Sequence, residues 1–435
     1  MNRVVEEVSA AYLVETVGGD VPAGYKKTEV GVVPEDWNVG PFGKLFEKIS
    51  SRKALRSSEL VSFVGMQDVT ENARLKSVHL VNFEEVKAGF TYFEKKDVLV
   101  AKITPCFEHG KGCFTNNLPT DVGFGSTEFH VLRASDSSDA DFIYFWTTTR
   151  RLRTALESEM VGSAGHRRVP LHALQNYVIP YPKCKNEQSA IAKILSDLDL
   201  LMERLETLIL KKQAVKAAAM QQLLTGRTRL PQFALREDGS PKGFKNSELG
   251  DIPQDWEVKP LSEVCSLKSG QSITADSISD EGGYPCYGGN GLRGFADNPT
   301  HSGRYVLVGR QGALCGNVNY VEGDFFASEH ALVATGKNSV DMQWLALVLE
   351  RMNLNQYSES SAQPGLSAIK LKVLPVLVPP LGEQQAIALL IRKLVFELSS
   401  LNNRLTKTRQ LKQGMMQQLL TGKIRLLKAS TVSAS

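Results

Sequence analysis

The sequence predicts an α+β protein made of two mixed α/β domains, each followed by a long helix, with the two helices packed against each other. Three observations predict this fold class. A ten-residue phrase occurs twice, each copy ends a segment with the apolar spacing of a long helix, and each remaining body alternates strand-like and helix-like runs. Such an internal repeat means that one structural unit has been built twice.

The repeat covers both ends of a unit but not its middle. "QQLLTGRTRL" at 221–230 returns as "QQLLTGKIRL" at 417–426, 196 positions later, and the same offset relates "EQSAIA" to "EQQAIA" upstream. An opening motif, "YKKTEVGVVPEDW" at 25–37, resembles "FKNSELGDIPQDW" at 244–256 with an offset of 219. The bodies between these phrases have diverged, which indicates that a shared scaffold carries two different recognition modules.

These phrases set the domain boundaries. Each body is long enough to bury a core of its own. The predicted organisation is an N-terminal arm and opening motif at 1–38, a first recognition body at 39–182, a central helix and connector at 183–257, a second recognition body at 258–380, and a C-terminal helix and tail at 381–435.

The long segments are predicted helices that pair with each other. In the first, apolar residues alternate at steps of three and four, as in a coiled coil. The second stripe drifts after Leu394 toward a period of 3.6. At 1.5 Å per residue each helix would be about 57 Å long. Packing of each helix on its own body is the alternative, but the matching stripe lengths favour pairing. The pairing candidates are Ile191, Leu198, Leu205, Leu208, Ile387, Leu394, Leu401 and Leu405.

The two bodies share one order of elements. Each contains the strand-like runs "DVLVAKI" or "YVLVGR", a second strand, and a helix with Ser138 or Ser339 as the expected N-cap. Each then ends in a small, polar loop, "VGSAGHRRVP" at 161–170 and "SSAQPGLSAIK" at 360–370, followed by a strand that ends in proline.

The polar loops, the helix before the first of them and the first strand ends hold the DNA-binding candidates. Arginine, glutamine and serine read base edges, while arginine and lysine also hold phosphates. A solvated surface loop is the alternative for any single residue. Glu128 and Glu329 could accept from a cytosine amino group or be core carboxylates tied to backbone amides. The candidates are Lys102, Thr104, Arg150, Ser163, His166, Arg167, Arg168, Arg310, Gln311, Ser361, Gln363 and Lys370.

Composition and motifs exclude several other classes. The net charge is +4, and basic residues are concentrated toward the C-terminal end of each of the two long helices. Such a distribution is expected either for a surface that binds a polyanion or for a solvated helix face. The six cysteines form no CxxC pair, and no run is long enough for a bilayer, so a cytoplasmic location is expected. "GNGLRG" at 289–294 is interpreted as a turn, since no helix follows it. We find no phosphate loop, no metal-ligand spacing and no catalytic motif, so no catalytic residue, metal or bound cofactor is expected.

The arrangement resembles the specificity subunits of type I restriction-modification enzymes. The motifs that carry the resemblance are "P…EQ.AIA", "QQLLTG(R/K).RL", the opening phrase "G.VP.DW" and the strand phrases, and they span Tyr25 to Leu426. The resemblance implies that each body is a target recognition domain for one half of a split DNA site. It also implies that the helices form an antiparallel coiled coil that sets the spacer, and that this chain is not itself catalytic.

The resemblance further implies partners. Two methyltransferase subunits would bind S-adenosylmethionine and methylate adenine, and two restriction subunits would add ATP-driven, Mg²⁺-dependent translocation and cleavage. Two rival hypotheses remain: a tandem-domain coiled-coil adaptor that binds proteins and not DNA, and an enzyme that acts alone on DNA. Steep salt dependence of duplex binding would distinguish the first rival, because phosphate contacts weaken with salt.

Overall fold

The computed structural model describes residues 21–47, 49, 51–163, 165–312, 315–337, 340–358 and 365–426. The chain divides into two compact units. Unit 1 is Met1–Arg204 with Leu405–Ser435, and unit 2 is Leu205–Arg404. Both divisions fall inside the long helices, so each unit contains part of each helix. The boundaries given above for the recognition bodies stay predictions.

Unit 1 holds two four-stranded sheets and several short helices. The sheet orders are β6-β5-β10-β7 and β4-β11-β8-β9, with separate pairs β1-β2 and β3-β12. The strands are β1 Tyr25–Thr28, β2 Gly31–Pro34, β3 Asn38–Pro41, β4 Phe46–Glu47, β5 Leu60–Val64, β6 His79–Asn82, β7 Thr91–Glu94, β8 Val98–Ala101, β9 Gly112–Phe114, β10 Val122–Gly125, β11 Phe129–Ala134 and β12 Val178–Tyr181. The short helices are α1 Phe83–Val86, α2 Ala140–Thr147, α3 Arg150–Glu157 and α4 Leu171–Asn176.

Unit 2 is built on one six-stranded sheet of order β16-β21-β19-β20-β17-β18, with separate pairs β13-β14 and β15-β22. Its strands are β13 Phe244–Lys245, β14 Ile252–Pro253, β15 Glu257–Pro260, β16 Cys265–Ser269, β17 Tyr284–Gly288, β18 Gly291–Ala296, β19 His301–Gly309, β20 Val318–Ala327, β21 Ala331–Gly336 and β22 Pro375–Val378. The two long helices, which both units share, are α5 Lys185–Leu223 and α10 Leu381–Leu419. The short helices of unit 2 are α6 Pro231–Ala234, α7 Leu261–Val264, α8 Met342–Arg351 and α9 Ala368–Lys372.

The long helices α5 and α10 have 39 residues each. Each is followed by a glycine with positive φ, 68° at Gly226 and 71° at Gly422. A Cβ on Gly226 would lie 2.4 Å from Pro253 Cδ, and one on Gly422 would lie 2.5 Å from Pro34 Cδ. Both the backbone angle and the close approach require glycine. This explains why "TG" and the proline of the opening motif recur together.

The helices run antiparallel to each other within each unit. In unit 1, Asp199 of α5 accepts from Lys412 Nζ of α10 at 2.7 Å, while Leu195, nearer the start of α5, shares a buried cluster with Leu419, nearer the end of α10. In unit 2, Lys212 Nζ donates to Glu397 at 2.6 Å, and the later Leu223 shares a cluster with Ile387.

The seam between the helices keeps steps of three and four throughout both of them. Its buried and half-buried positions are Gln188, Ile191, Leu195, Leu198, Met202, Leu205, Ile209, Lys212, Lys216, Ala219 and Leu223 in α5, and Gln384, Ile387, Ile391, Leu394, Leu398, Leu401, Leu405, Thr408, Lys412, Met415 and Leu419 in α10. The expected drift in α10 is therefore wrong. The drift was inferred from the positions of apolar residues only. Polar residues occupy part of the seam, so the apolar residues do not trace it completely.

Leu208 departs from the expected pairing set. It is 40% exposed, and the neighbouring Ile209 is buried at 6%. The other seven pairing candidates lie at buried or half-buried seam positions. Ile209 faces the partner helix because it lies four positions after Leu205, which continues the alternation of three and four.

The helices α2 and α8 begin at aspartates, not at the expected serines. Phe142 N donates to Asp139 Oδ1 at 2.9 Å, and Trp344 N donates to Asp341 Oδ1 at 2.8 Å. Ser138 is buried one residue earlier and bonds Ser135, while Ser339 lies outside the described residues. The first backbone N–H groups of a helix have no partner within the helix, and the N-cap side chain accepts from one of them. Each aspartate stands at that N-cap position, whereas Ser138 lies one residue too early to reach the same N–H.

None of the helices in the described part of the chain combines the length and the apolar character that a membrane span needs.

Candidate nucleic-acid interface

Three chain segments meet at one junction in unit 1. Lys102 follows strand β8, and its N–H donates to the Glu128 carbonyl at 2.9 Å. Its own carbonyl accepts from Val169 N at 2.8 Å, and Ile103 pairs with Arg168 in an isolated antiparallel bridge. The strand end, the turn before β11 and the polar loop are thus joined through backbone hydrogen bonds. We call this the first junction.

Unit 2 repeats the same backbone contacts with other side chains. Arg310 N donates to the His330 carbonyl at 2.9 Å, and Leu366 N donates to the Arg310 carbonyl at 2.9 Å. Gln311 bridges Gly365. In this second junction Arg310 stands where Lys102 does, His330 where Glu128 does, and Gly365 where Arg168 does. The two domains therefore present different chemistry on one backbone arrangement.

Both arginines of the first loop are held by carboxylates. Arg168 forms a two-point contact with Glu128, with Nη2–Oε1 at 2.8 Å and Nε–Oε2 at 3.0 Å. Arg167 Nη2 donates to Glu108 at 2.9 Å. The hydrogen bond from Arg168 lowers the pKa of Glu128, so the carboxylate stays ionised near neutral pH. The side chains of Arg168 and Arg167 remain 46% and 42% exposed, which leaves them open to a ligand.

The other candidates of unit 1 lie around the first junction to different degrees. Thr104 N donates to the Arg167 carbonyl at 2.9 Å, and His166 N donates to the Ser163 carbonyl at 3.0 Å. Arg150 is exposed as the first residue of α3, without a contact to the junction among the described hydrogen bonds. Arg153 lies one turn after Arg150 on α3. Its guanidinium contacts the loop that carries Glu108, since a Cβ placed on Gly110 would lie 2.5 Å from Arg153 Cζ.

The second junction carries a chain of polar contacts. Arg310 Nη1 donates to Ser269 Oγ at 2.8 Å, and His330 Nδ1 lies 2.9 Å from Gln311 Oε1. Glu329 accepts from Ile273 N at 3.2 Å and lies 3.4 Å from His330 Nε2.

Two candidates of the second loop have no described position, and a third lies on the helix that follows. Lys370 is exposed on α9. Ser361 and Gln363 lie outside the described residues.

The structure separates the two glutamates that the sequence left open. Glu329 is tied to a backbone amide, which is the structural role, although it stays partly exposed. Glu128 binds an arginine side chain instead, which neither alternative anticipated. Glu108 was not a candidate at all. The separation of 40 positions between Glu128 and Arg168 carries no spacing signal for such a pair.

A glycine turn in unit 2 was also missed as part of this surface. The turn between β17 and β18 lies against the second junction, since a Cβ on Gly289 would be 3.0 Å from the His330 carbonyl and 3.2 Å from that of Gln311. The expected turn holds for Gly289 and Asn290, whereas Gly291 to Gly294 form the start of β18. A side chain at position 289 would crowd these two carbonyls, so glycine favours the close approach of this turn, whose Asn290 is exposed.

A second set of contacts explains the repeated phrases. Arg229 binds Asp255 (Nη1–Oδ1, 2.8 Å) and Glu383 (Nε–Oε1, 3.0 Å), and Trp256 Nε1 also donates to Glu383 at 2.9 Å. We call these four residues the second clasp. It joins the end of one helix, the opening motif and the start of the other helix.

The first clasp has the same chemistry in unit 1. Arg425 binds Asp36 and Glu187, each at 3.0 Å, and Trp37 Nε1 donates to Glu187 at 3.3 Å. Arg229 and Arg425 are two of the basic residues near the helix ends, for which the sequence leaves a polyanion or a solvated helix face open. They instead neutralise carboxylates of their own unit, because each guanidinium lies between two acidic side chains.

No group of three or more histidine, cysteine, aspartate or glutamate side chains in the described ranges could hold a metal ion.

Comparison with known proteins places these features in a family context. The family model described as "Type I restriction modification DNA specificity domain" matches residues 34–213 and 253–412, more than half of the chain. The type I restriction enzyme EcoprrI specificity subunit of Escherichia coli is 29% identical over 357 residues, which is 80% of this chain and 82% of the relative. A putative type I restriction enzyme MjaX specificity subunit of Methanocaldococcus jannaschii is 24% identical over 433 residues, 92% of this chain and 97% of the relative.

A solved structure has the same fold. The crystal structure of the type I restriction-modification S subunit from M. genitalium matches with a TM-score of 0.60 at 17% identity, covering 88% of this chain and 96% of the other. Both matched segments of the family model begin in the opening motif of a repeat.

Proposed function

Because the chain belongs to the type I restriction-modification DNA specificity family, we propose that it reads a bipartite DNA site, one half with each unit. The observation that carries this proposal is the pair of junctions. One backbone arrangement presents Lys102, Glu128 and Arg168 in one unit, and Arg310 and His330 in the other. Unlike side chains on one frame suit the recognition of two unlike half-sites, because sequence is read by side-chain contacts to base edges.

The helices in this proposal set the distance between the half-sites. Half-sites read from one face of DNA lie about 34 Å apart, or a multiple of that distance. Helices of 39 residues are about 58 Å long, which is sufficient to separate two readers by one such turn.

The proposed partners are two methyltransferase subunits and two restriction subunits. They would bind S-adenosylmethionine, ATP and Mg²⁺, while this chain supplies sequence choice and no catalysis. The names of the relatives, all specificity subunits of type I restriction enzymes, support this division of labour. The rival protein-binding adaptor has no support among these relatives. A cytoplasmic location stays a prediction.

The test is selection of sites from a randomised duplex pool by the full chain assembled with its methyltransferase subunits. We expect two fixed half-sites separated by a spacer of constant length and free sequence. Binding should weaken linearly on a log–log plot against salt, with a slope of about −0.9 for each phosphate contacted. Recovery of no preferred sequence, or affinity unchanged by salt, would reject the proposal and favour the adaptor.

A further inference from the structure

The guanidinium of Arg168 is only partly used by the protein. An arginine has five N–H donors in a fixed planar arrangement. In Arg168, Nε and one N–H of Nη2 bind Glu128, and one N–H of Nη1 donates to the His166 carbonyl at 3.3 Å. Two donors remain, one on each terminal nitrogen. They belong to a side chain that is 46% exposed.

Both residues of this ion pair are held by backbone hydrogen bonds. The Glu128 carbonyl accepts from Lys102 N, and Arg168 exchanges backbone hydrogen bonds with Val161 at 2.8 and 3.0 Å. Arg168 therefore has little freedom at its backbone, and Glu128 removes much of the remaining freedom of its side chain. A free arginine would lose that rotamer entropy on binding DNA, whereas a held one has already lost it.

We propose that Arg168 reads a guanine in the half-site of unit 1 and that Glu128 is the residue that positions it. The inference rests on the proposed function. The two remaining donors match the two acceptors, O6 and N7, that guanine presents in the major groove. The other bases offer no such pair of acceptors there: adenine has N7 beside an amino group, and thymine has a single O4.

The inference is specific to one half of the site. In the second junction the position of Arg168 is occupied by Gly365, which has no side chain to read a base. Arg167 lacks the same arrangement, since only one N–H, on Nη2, reaches Glu108. Among the described residues of the two junctions, Arg168 is thus the arginine that one carboxylate holds at two points, and the inference concerns the first half-site.

The first measurement compares wild type with Arg168→Ala and Arg168→Lys in the assembled complex, using the half-sites selected by wild type. Each duplex carries one base-pair change. We expect wild type to require one G·C pair in the first half-site, and both variants to lose that discrimination by roughly 5- to 150-fold. Lysine restores the charge but not the planar pair of donors, so it should recover affinity better than selectivity.

The second measurement tests the positioning role with Glu128→Ala and Glu128→Gln. We expect the same G·C position to be relaxed in both variants, while affinity for random duplex rises because a negative charge near the phosphates is gone. Glu322→Ala is the matched control. It removes a carboxylate from another exposed pair, Arg304 Nε–Glu322 Oε1 at 3.0 Å in unit 2, and should leave the first half-site unchanged.

The outcomes separate the two levels of the argument. A wild-type complex without any preferred duplex sequence overturns the proposed function itself. A wild-type complex with defined half-sites whose bases are all read equally well by Arg168→Ala overturns guanine reading only. Loss of discrimination in Arg168→Ala together with full discrimination in Glu128→Ala overturns the positioning role.

Discussion

Arg229 and Arg425 occupy equivalent places in the two copies of one phrase, but their surroundings differ. Arg229 is 5% exposed and its partner Glu383 is 1% exposed, whereas Arg425 is 37% exposed and Glu187 is 17% exposed. The Arg229–Glu383 pair is therefore dry, although Asp255 of the second clasp stays 29% exposed, and the Arg425–Glu187 pair is partly hydrated. A buried charge that loses its partner costs far more than a hydrated one.

This difference predicts unequal effects of one substitution. Arg229→Ala removes the positively charged partner of the buried Glu383 and should lower the free energy of unfolding by about 3–5 kcal/mol. Arg425→Ala leaves carboxylates that water reaches, and should cost at most about 1 kcal/mol. Denaturant unfolding of the full chain measures both, with the exposed Arg304→Ala as a control that should show no change. Equal losses in both clasp variants would contradict the burial argument.

The second clasp also predicts a pH dependence. Burial of Asp255 favours its neutral form, but hydrogen bonds from Arg229 and Lys242 outweigh this and lower its pKa below the ordinary 3.8. Since the folded pKa is below the unfolded one, the ionised carboxylate stabilises the fold above that range. The contribution is lost as the pH falls through the folded value. Between pH 6 and pH 3, wild type should lose more unfolding free energy than Asp255→Asn, and parallel pH profiles would refute this.

At the scale of single elements, the long helices could be predicted from the sequence but their register could not. Length, the lack of proline and the terminal glycine all indicated the helices correctly. The register depends on which residues face the partner helix, and several seam positions are polar, including Lys212, Thr408 and Lys412. Lys412 is accommodated because it donates to Asp199 and lies 5.3 Å from the centre of the Phe145 ring. Counting apolar residues cannot find such positions.

The register predicts how two neighbouring residues differ. Ile209→Ala removes a buried side chain from the seam and should lower the unfolding free energy by about 2–4 kcal/mol. Leu208→Ala changes a residue that is 40% exposed and should have an effect within about 0.5 kcal/mol. Thermal or denaturant unfolding of the two variants decides between the registers. A larger loss for Leu208→Ala would restore the stripe expected from the apolar pattern.

At the scale of the whole molecule, two units with separate cores are connected by two continuous helices. The antiparallel contact in unit 2, Lys212 with Glu397, means that α5 cannot be lengthened alone without shifting its partners on α10. Any change of length has to be made in both helices.

Lengthening both helices predicts a longer spacer. Repeating residues 202–208 in α5, together with seven matching residues after Leu401 in α10, adds about 10.5 Å, or roughly 3 base pairs. Site selection should return the same two half-sites with a spacer longer by this amount. Repeating 202–208 in α5 alone is the control, and it should destabilise the chain. An unchanged spacer in the double insertion would count against the helices as the determinant of distance.

The sequence by itself determined the duplication, the order of elements, the two long helices and the segments that form the junctions. These follow from local patterns, namely periodicity, turn residues and exact repetition, which are independent of how distant segments meet. Only the tertiary structure decided the seam at Ile209, the clasps and the pairing of Glu128 with Arg168. The clasps and the Glu128–Arg168 pair depend on side chains far apart in the chain, whose ionic contacts leave no periodic trace in the sequence. The seam depends on which residues face the partner helix, and polar residues occupy some of those positions.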